Sequence, residues 1–402
     1  MNNNNTKSIH LCLAQMDGKE LFYVHKAFED DWIAPLGPNV DGFEEDIKRF
    51  LGGEKEILAL SSGTAAIHLG LIGCGVGPGD EVIAQSFTFC ASVNPILYLG
   101  AKPILVGSEK ETWNMDPDLL EEAITDRIAK TGRTPKAIVP VSLYGMPYRV
   151  DRILEIADRY GIPIVEDSAE ALGSRFDGKA LGTFGRFGVL SFNGNKMITT
   201  SGGGALICPD AEMKARMLHL ATQAREPAPY YQHEELGYNY RLSNVCAGIS
   251  RGQMSVLQAH IDRHREIAQM YLECLGSIRG IRVHGNPSPM IESNFWLSTI
   301  TLDPDLHVSG QESLPPSDGT ACRPNPNVEA LRILLDKAGV ETRPLWKPMH
   351  LQPLYKAVPY YDNDGKVCDS LFKTGLCLPS GPRVTNDDIH LICNSIREAT
   401  VR

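Results

Sequence analysis

Lys196 stands in Gly188-Val-Leu-Ser-Phe-Asn-Gly-Asn-Lys196-Met-Ile-Thr-Thr-Ser-Gly-Gly-Gly204, where an apolar, strand-like run ends in a turn. Ser191 places a hydroxyl five residues before the lysine. Glu166 and Asp167 close another apolar run 29 residues upstream of Lys196. An amine held in a partly desolvated pocket can form a Schiff base with a carbonyl. Most lysines lie on the surface, so an isolated one carries no such implication. The order of the neighbouring groups is what gives this one weight.

The first of these groups is Ser61-Ser62-Gly63-Thr64-Ala65-Ala66, which follows an apolar strand and opens a helix. Free amides and the helix dipole at such a start favour an anion, and Thr64 adds a hydroxyl. An ordinary N-capped helix accounts for the same residues. Asp167 comes next, just beyond the apolar run 162–166. Ligands of open α/β sheets bind at that strand edge. A buried carboxylate there needs a cation or strong hydrogen bonds, and a protonated pyridine nitrogen would serve. Capping of the following turn is the competing account. Phosphate-type helix start, strand-end Asp and strand-turn-Lys, in that order, suggest pyridoxal phosphate.

Three other segments are less decisive. Phe89, in Ser86-Phe-Thr-Phe89, could stack on an aromatic ring or belong to the core. The loop Gly237-Tyr-Asn239-Tyr-Arg241-Leu-Ser-Asn244 either caps a helix or reaches a ligand. Arg241 and His350 could meet a carboxylate or a diphosphate, or be ordinary surface or interface residues. Gly202-Gly-Gly204 lacks the Gly-x-Gly-x-x-Gly spacing of a dinucleotide site and implies a tight turn or close backbone packing. That weakens the case for an NAD-dependent oxidoreductase.

These groups need a scaffold, and the apolar pattern supplies one. Strand-like runs fall at 56–60, 81–84, 102–106, 136–141, 162–166, 187–192 and 204–207. Helical segments lie between many of them, at 64–71, 88–99, 116–128 and 151–160. The alternation predicts an α/β fold with a mainly parallel sheet covered by helices. A long helix from about Ser243 leads into a smaller α+β unit, with strands near 296–302, 340–342 and 376–379 and helices at 327–338 and 385–400. Residues 308–327 are rich in Pro, Ser and Gly and predict a surface loop. The expected division is a disordered tail over 1–10, a large domain over 11–262 and a small C-terminal domain over 263–402.

The chain of 402 residues is 43% hydrophobic and carries a net charge of −10. That charge argues against nucleic acid or an anionic membrane surface as a partner. No apolar run is long enough to span a bilayer. The ten cysteines form no Cys-x-x-Cys pair, which suits reduced thiols and a cytoplasmic location rather than a disulfide frame or a metal site.

Taken together, the chain resembles the sugar aminotransferases of the DegT/DnrJ/EryC family. The motifs are Ser-Gly-Thr-Ala-Ala at 62–66, Ser-Phe-Thr-Phe at 86–89, Glu-Asp-Ser-Ala-Glu at 166–170, Ser-Phe-Asn-Gly-Asn-Lys at 191–196 and Gly-Tyr-Asn-Tyr-Arg-Leu at 237–242. The resemblance runs from about Trp32 to the last helix. It implies fold type I, the aspartate aminotransferase-like architecture. Lys196 would be the Schiff-base lysine and Asp167 the partner of the pyridinium nitrogen. Gly63, Thr64 and Ser191 would hold the phosphate, with Phe89 on the ring. Asn239 would reach the cofactor of a neighbouring subunit, which makes a homodimer with shared active sites the expected assembly. The dehydratase branch of the family replaces the lysine by histidine, and this chain keeps Lys196.

Glu170 stands where most relatives carry Gln or His, close to the cofactor's phenolic oxygen. With segments 32–37, 200–204, 223–226, 341–346 and 378–381, it resembles most the bacillosamine-pathway subgroup. The implied substrates are L-glutamate and a UDP-linked 2-acetamido-4-keto-2,6-dideoxyhexose. A 3-keto nucleotide sugar or cyclitol, another 4-keto nucleotide sugar, and a non-catalytic regulatory role are the alternatives.

Overall fold

The computed structural model describes residues 8–16, 18–315 and 322–400. The main sheet is built from β1 (Glu56–Leu60), β2 (Glu81–Gln85), β3 (Lys102–Val106), β4 (Ala137–Val139), β5 (Val165–Asp167), β6 (Phe187–Ser191) and β7 (Gly204–Cys208). Their order is β1-β7-β6-β5 and β4-β2-β3, with the short strand Tyr360–Tyr361 beside β3. Parallel bridges Ile138–Ile164 and Val141–Asp167 join β4 to β5. Only β7 runs antiparallel to its neighbours, β1 and β6. The other pairings are parallel, as near-continuous apolar strands separated by helices require.

Helices α1 (Glu20–Glu29), α2 (Pro38–Phe50), α3 (Gly63–Gly73), α4 (Pro117–Thr131), α5 (Val150–Tyr160) and α6 (Ala211–Ala221) accompany this sheet. The start of α4 is set locally. The Asp116 side chain accepts the N–H groups of Asp118 and Leu119, and Pro117 follows it. The helix stops at Gly132, which is left-handed at φ 69°.

Two expected helices differ. The span 88–99 is not continuous: a 3₁₀ turn at Cys90–Ser92 precedes a short helix at Asn94–Tyr98. Pro95 has no N–H to continue a helical ladder from the preceding turn. The helix expected from Ser243 is two, α7 (Asn244–Met254) and α8 (Leu257–Leu275), broken at Ser255 and Val256. Ser243 caps α7 by accepting the Val245 N–H.

Helix α8 links two cores. Leu257 and Ile261 pack with the main-sheet residues, whereas Ile267, Tyr271 and Leu275 pack with the C-terminal unit. That unit holds an antiparallel sheet of β8 (Ile281–Val283), β9 (Ser298–Leu302) and β10 (Gly375–Leu378), with Arg343–Pro344 at its edge. Helices α9 (Pro326–Lys337) and α11 (Asn386–Thr400) share its core, and α10 (Val367–Thr374) leads into β10.

The expected tail over 1–10 is corrected at its end. Ile9 is buried, bonds to Gly339 and Glu341, and bridges in parallel to Val340. An apolar side chain beside an open strand edge has both burial and backbone partners to gain, so it docks. The expected tail residues 1–7 lie outside the described residues. The expected surface loop includes a 3₁₀ turn at Gln311–Ser313, and its residues 316–321 also lie outside them. No helix among the described residues is long and apolar enough to cross a membrane.

His264, on α8, is fully buried and makes one bond through Nδ1, to the Phe295 carbonyl at 3.2 Å. Burial pushes its pKa down to about 4. A histidine depressed in the folded state is neutral there, while the unfolded chain takes up a proton below its ordinary value. Stability is therefore lost as pH falls from about 6.5 towards 4, by about 1.4 kcal/mol per pH unit for this group. Urea unfolding at pH 7 and pH 5 should show His264→Gln with a shallower pH slope than the parent chain.

Candidate active site

One cavity of about 420 Å³ gathers the chemistry-bearing residues at the C-terminal edge of the parallel strands. Ser61, Ser62, Gly63, Thr64, Thr88, Phe89, Ser92, Asp167, Glu170, Ser191, Lys196, Trp296 and Trp346 are among its walls.

The anion-type corner is made by the turn from β1 into α3. Ser62 caps α3: its hydroxyl accepts the Ala65 N–H at 3.0 Å, and its carbonyl accepts that of Ala66. This leaves the first N–H groups of the helix, on Gly63 and Thr64, without intrahelical acceptors beside the cavity. A Cβ on Gly63 would stand 3.1 Å from that of Ser191, so glycine keeps this corner open. Gly204, where β7 begins, is closer still. A Cβ there would lie 2.3 Å from the Ser62 carbonyl carbon and 2.4 Å from the Gly63 nitrogen. The glycine run thus marks close backbone packing, the second of the two readings given for it.

Asp167 ends β5 and is 3% exposed. Its Oδ2 accepts the Ser92 hydroxyl at 2.6 Å and its Oδ1 the Ala169 N–H at 3.1 Å. Burial raises its carboxyl pKa above the usual range, while those two bonds pull the other way. A dry carboxylate of this kind is stabilised by a cation. Neighbouring Glu166 does not share the site. It is fully buried and turned to the N–H groups of Gly182, Phe184 and Gly185.

Lys196 follows the turn after β6, and its N–H bonds to the Asn193 carbonyl. Its Nζ lies 3.1 Å from Glu170 Oε1 and 3.9 Å from the centre of the Trp296 ring. Glu170 is itself fixed, with Oε2 accepting the Tyr144 N–H at 2.7 Å. Tyr144 holds a left-handed φ of 56° to offer that N–H. Trp296 comes from the C-terminal unit, and its Nε1 donates to the Asn195 carbonyl at 2.6 Å. The indole thus ties the lysine turn to the segment that leads into β9.

The sequence profile of the DegT/DnrJ/EryC1/StrS aminotransferase family matches residues 14–397. The chain belongs to this family. It is 45% identical over 384 residues to the putative pyridoxal phosphate-dependent aminotransferase EpsN of Bacillus subtilis (strain 168), covering 95% of this chain and 93% of that protein. It is 34% identical over 392 residues to the GDP-perosamine synthase of Escherichia coli O157:H7, covering 98% of each. The solved structure of a DegT/DnrJ/EryC1/StrS aminotransferase from Brucella abortus aligns with a TM-score of 0.84 at 27% identity, covering 96% of each chain. The architecture is fold type I, as the motifs implied.

Within this aminotransferase, Lys196, Asp167, Gly63, Thr64, Ser191, Glu170 and Phe89 all line the cavity. Phe89 sits at its edge, 57% exposed, with its ring 6.4 Å from that of Trp346. Asn239 is exposed and does not line the cavity. Neither Arg241 nor His350 is brought to it. The Arg241 guanidinium is buried against Glu44 and also donates to the Ala59 carbonyl at 3.0 Å. His350 bonds Ser86 Oγ at 2.8 Å and Asp369 Oδ1 at 2.9 Å, and stacks on Tyr360.

Ser92, Trp296 and Trp346 are among the cavity residues that the sequence reading did not single out as site residues. Trp296 and Trp346 had a signal, since tryptophans are few here and both adjoin strand-like runs. Ser92 had none. Trp346 lines the cavity, but its Nε1 is buried without a hydrogen-bond partner among the described residues.

Arg241→Ala should act on stability rather than on substrates. Glu44 would keep Lys214 and the Ala59 N–H but lose its buried guanidinium partner. A loss of about 2 to 3 kcal/mol is expected in denaturant unfolding, with KM for both substrates within about twofold of the parent value.

Proposed function

We propose that this enzyme transfers an amino group from L-glutamate to C4 of a UDP-linked 2-acetamido-2,6-dideoxy-4-ketohexose, in the cytoplasm, for a bacterial surface glycan or glycosylated protein. The chain is a pyridoxal phosphate-dependent sugar aminotransferase. The observation that carries the reading is the meeting of an amine, a buried carboxylate and a helix N-terminus in one cavity.

The residues present fit the cofactor. Gly63 and Thr64 amides with the Ser191 hydroxyl would hold its phosphate, in a corner that a Cβ on Gly63 would crowd. Asp167 would hold the ring nitrogen, which supplies the positive charge its dry site favours. Phe89 flanks the opening and would cover the ring face. Glu170 would lie near the phenolic oxygen. When bound, pyridoxal phosphate supplies an aldehyde that couples reversibly to amines and a ring that accepts an electron pair.

Lys196 has two tasks on this reading. Its Nζ would hold the bound cofactor through the aldehyde carbon, and as a free amine it would carry a proton between the donor's α-carbon and that same carbon of the cofactor. The Trp296 clamp on the Asn195 carbonyl limits where that amine can swing. Asn239 is exposed and away from its own cavity, which supports a homodimer in which it serves the neighbouring site. Exposed Phe22, Trp32, Tyr98 and Tyr231 supply apolar surface for such contacts.

The choice of sugar rests on Glu170 and the segments that resemble the bacillosamine-pathway subgroup. A GDP-linked 4-keto sugar is the second reading, favoured by the 34% identity to a GDP-perosamine synthase.

Lys196→Ala should lose turnover by at least about 10⁴-fold while the protein stays folded. Near-parental amination by that variant would remove Lys196 from its role. With glutamate and a panel of UDP-, GDP- and dTDP-linked keto-sugars, mass spectrometry should show amination chiefly of the UDP-linked 4-keto compound. Preference for the GDP-linked compound would establish the second reading instead.

A further inference from the structure

We propose that Ser92, backed by Thr88, is a positioning residue that fixes the Asp167 carboxylate as the acceptor for the cofactor's ring nitrogen. This rests on the assignment of Asp167 to that nitrogen and extends it to Ser92, which lies outside the quoted motifs, and to Thr88, which lies within Ser-Phe-Thr-Phe at 86–89.

The geometry is a short relay through the cavity wall. Thr88 Oγ1 lies 2.8 Å from Ser92 Oγ, which lies 2.6 Å from Asp167 Oδ2. The three residues are 1%, 2% and 3% exposed, so water does not substitute for any of them. An ionised carboxylate only accepts hydrogen bonds, and a serine has one proton to give. Ser92 therefore donates to Asp167, and its own oxygen is left to accept the Thr88 proton. Both hydroxyl dipoles then point towards the carboxylate and reinforce each other.

The backbone explains why the two hydroxyls meet. Thr88 and Ser92 stand four residues apart, and Ser92 closes the 3₁₀ turn at Cys90–Ser92 that replaces a continuous helix here. On the other side of the carboxylate, Ala169 N–H occupies Oδ1. With one bond on each oxygen, the carboxylate cannot rotate without breaking both, and it retains lone pairs for a further donor.

The test separates ring-nitrogen recognition from general packing. Pyridoxamine 5′-phosphate has no aldehyde and cannot couple to Lys196. Its 1-deaza analogue has a C–H in place of the ring nitrogen. Both would be titrated into full-length apoenzyme by calorimetry. The parent protein should bind the pyridine compound more tightly than the deaza compound. Ser92→Ala should weaken the pyridine compound about tenfold and leave the deaza compound within about twofold. Ser92→Thr, which keeps the hydroxyl, should restore most of the difference, and Thr88→Val should reduce it by about threefold. Equal weakening of both ligands by Ser92→Ala, or no weakening of either, would overturn the relay. A parent protein that does not discriminate between them would instead overturn the assignment of Asp167, and the relay with it.

Discussion

A carboxylate without water at the end of a parallel strand is the constraint around which this site is organised. Asp167 is placed there by β5, and a charge so placed must be answered by neighbours. The protein answers with one side-chain hydroxyl and one amide. The start of α3 and the amine on the turn after β6 border the same cavity. In the proposed reading the cofactor's ring nitrogen supplies the missing positive charge, the α3 amides take its phosphate, and Lys196 reaches the space between them.

The central strands were legible because each is a short apolar run between turn signals. β1 and β3 occupy the spans that the pattern predicted, and β2, β6 and β7 differ by one residue at an end. The residues at their C-terminal ends, Asp167 and Ser191, were therefore legible as well. Lys196 became legible only beside them. What the pattern could not show is where long side chains go. Arg241 follows Tyr240, whose carbonyl accepts the N–H of the cavity residue Ser61, yet its guanidinium turns to Glu44, 197 positions earlier. Its destination depended on a buried acid contributed by a distant helix.

Other differences have equally local causes. Periodicity over 88–99 ignores that Pro95 cannot donate to a helical ladder, so the turn that carries Ser92 into the wall was invisible. Ile9 falls in the expected tail because its bridge partner, Val340, lies more than 300 residues later. A one-dimensional pattern carries no record of an edge waiting at the far end of the chain. The glycine run 202–204 is the converse case. Its composition announced close packing, and only the coordinates could say that the Ser62–Gly63 backbone was what came close.

The hydrogen bond between the Trp296 indole and the Asn195 carbonyl joins the C-terminal unit to the turn bearing the amine. The two halves of the chain are consequently not interchangeable parts. A chimaera that paired this sheet with the C-terminal unit of another enzyme would inherit the carboxylate and the amide cradle intact. It would still lack the indole bonded to the Asn195 carbonyl, unless the donor happened to place one at the same depth.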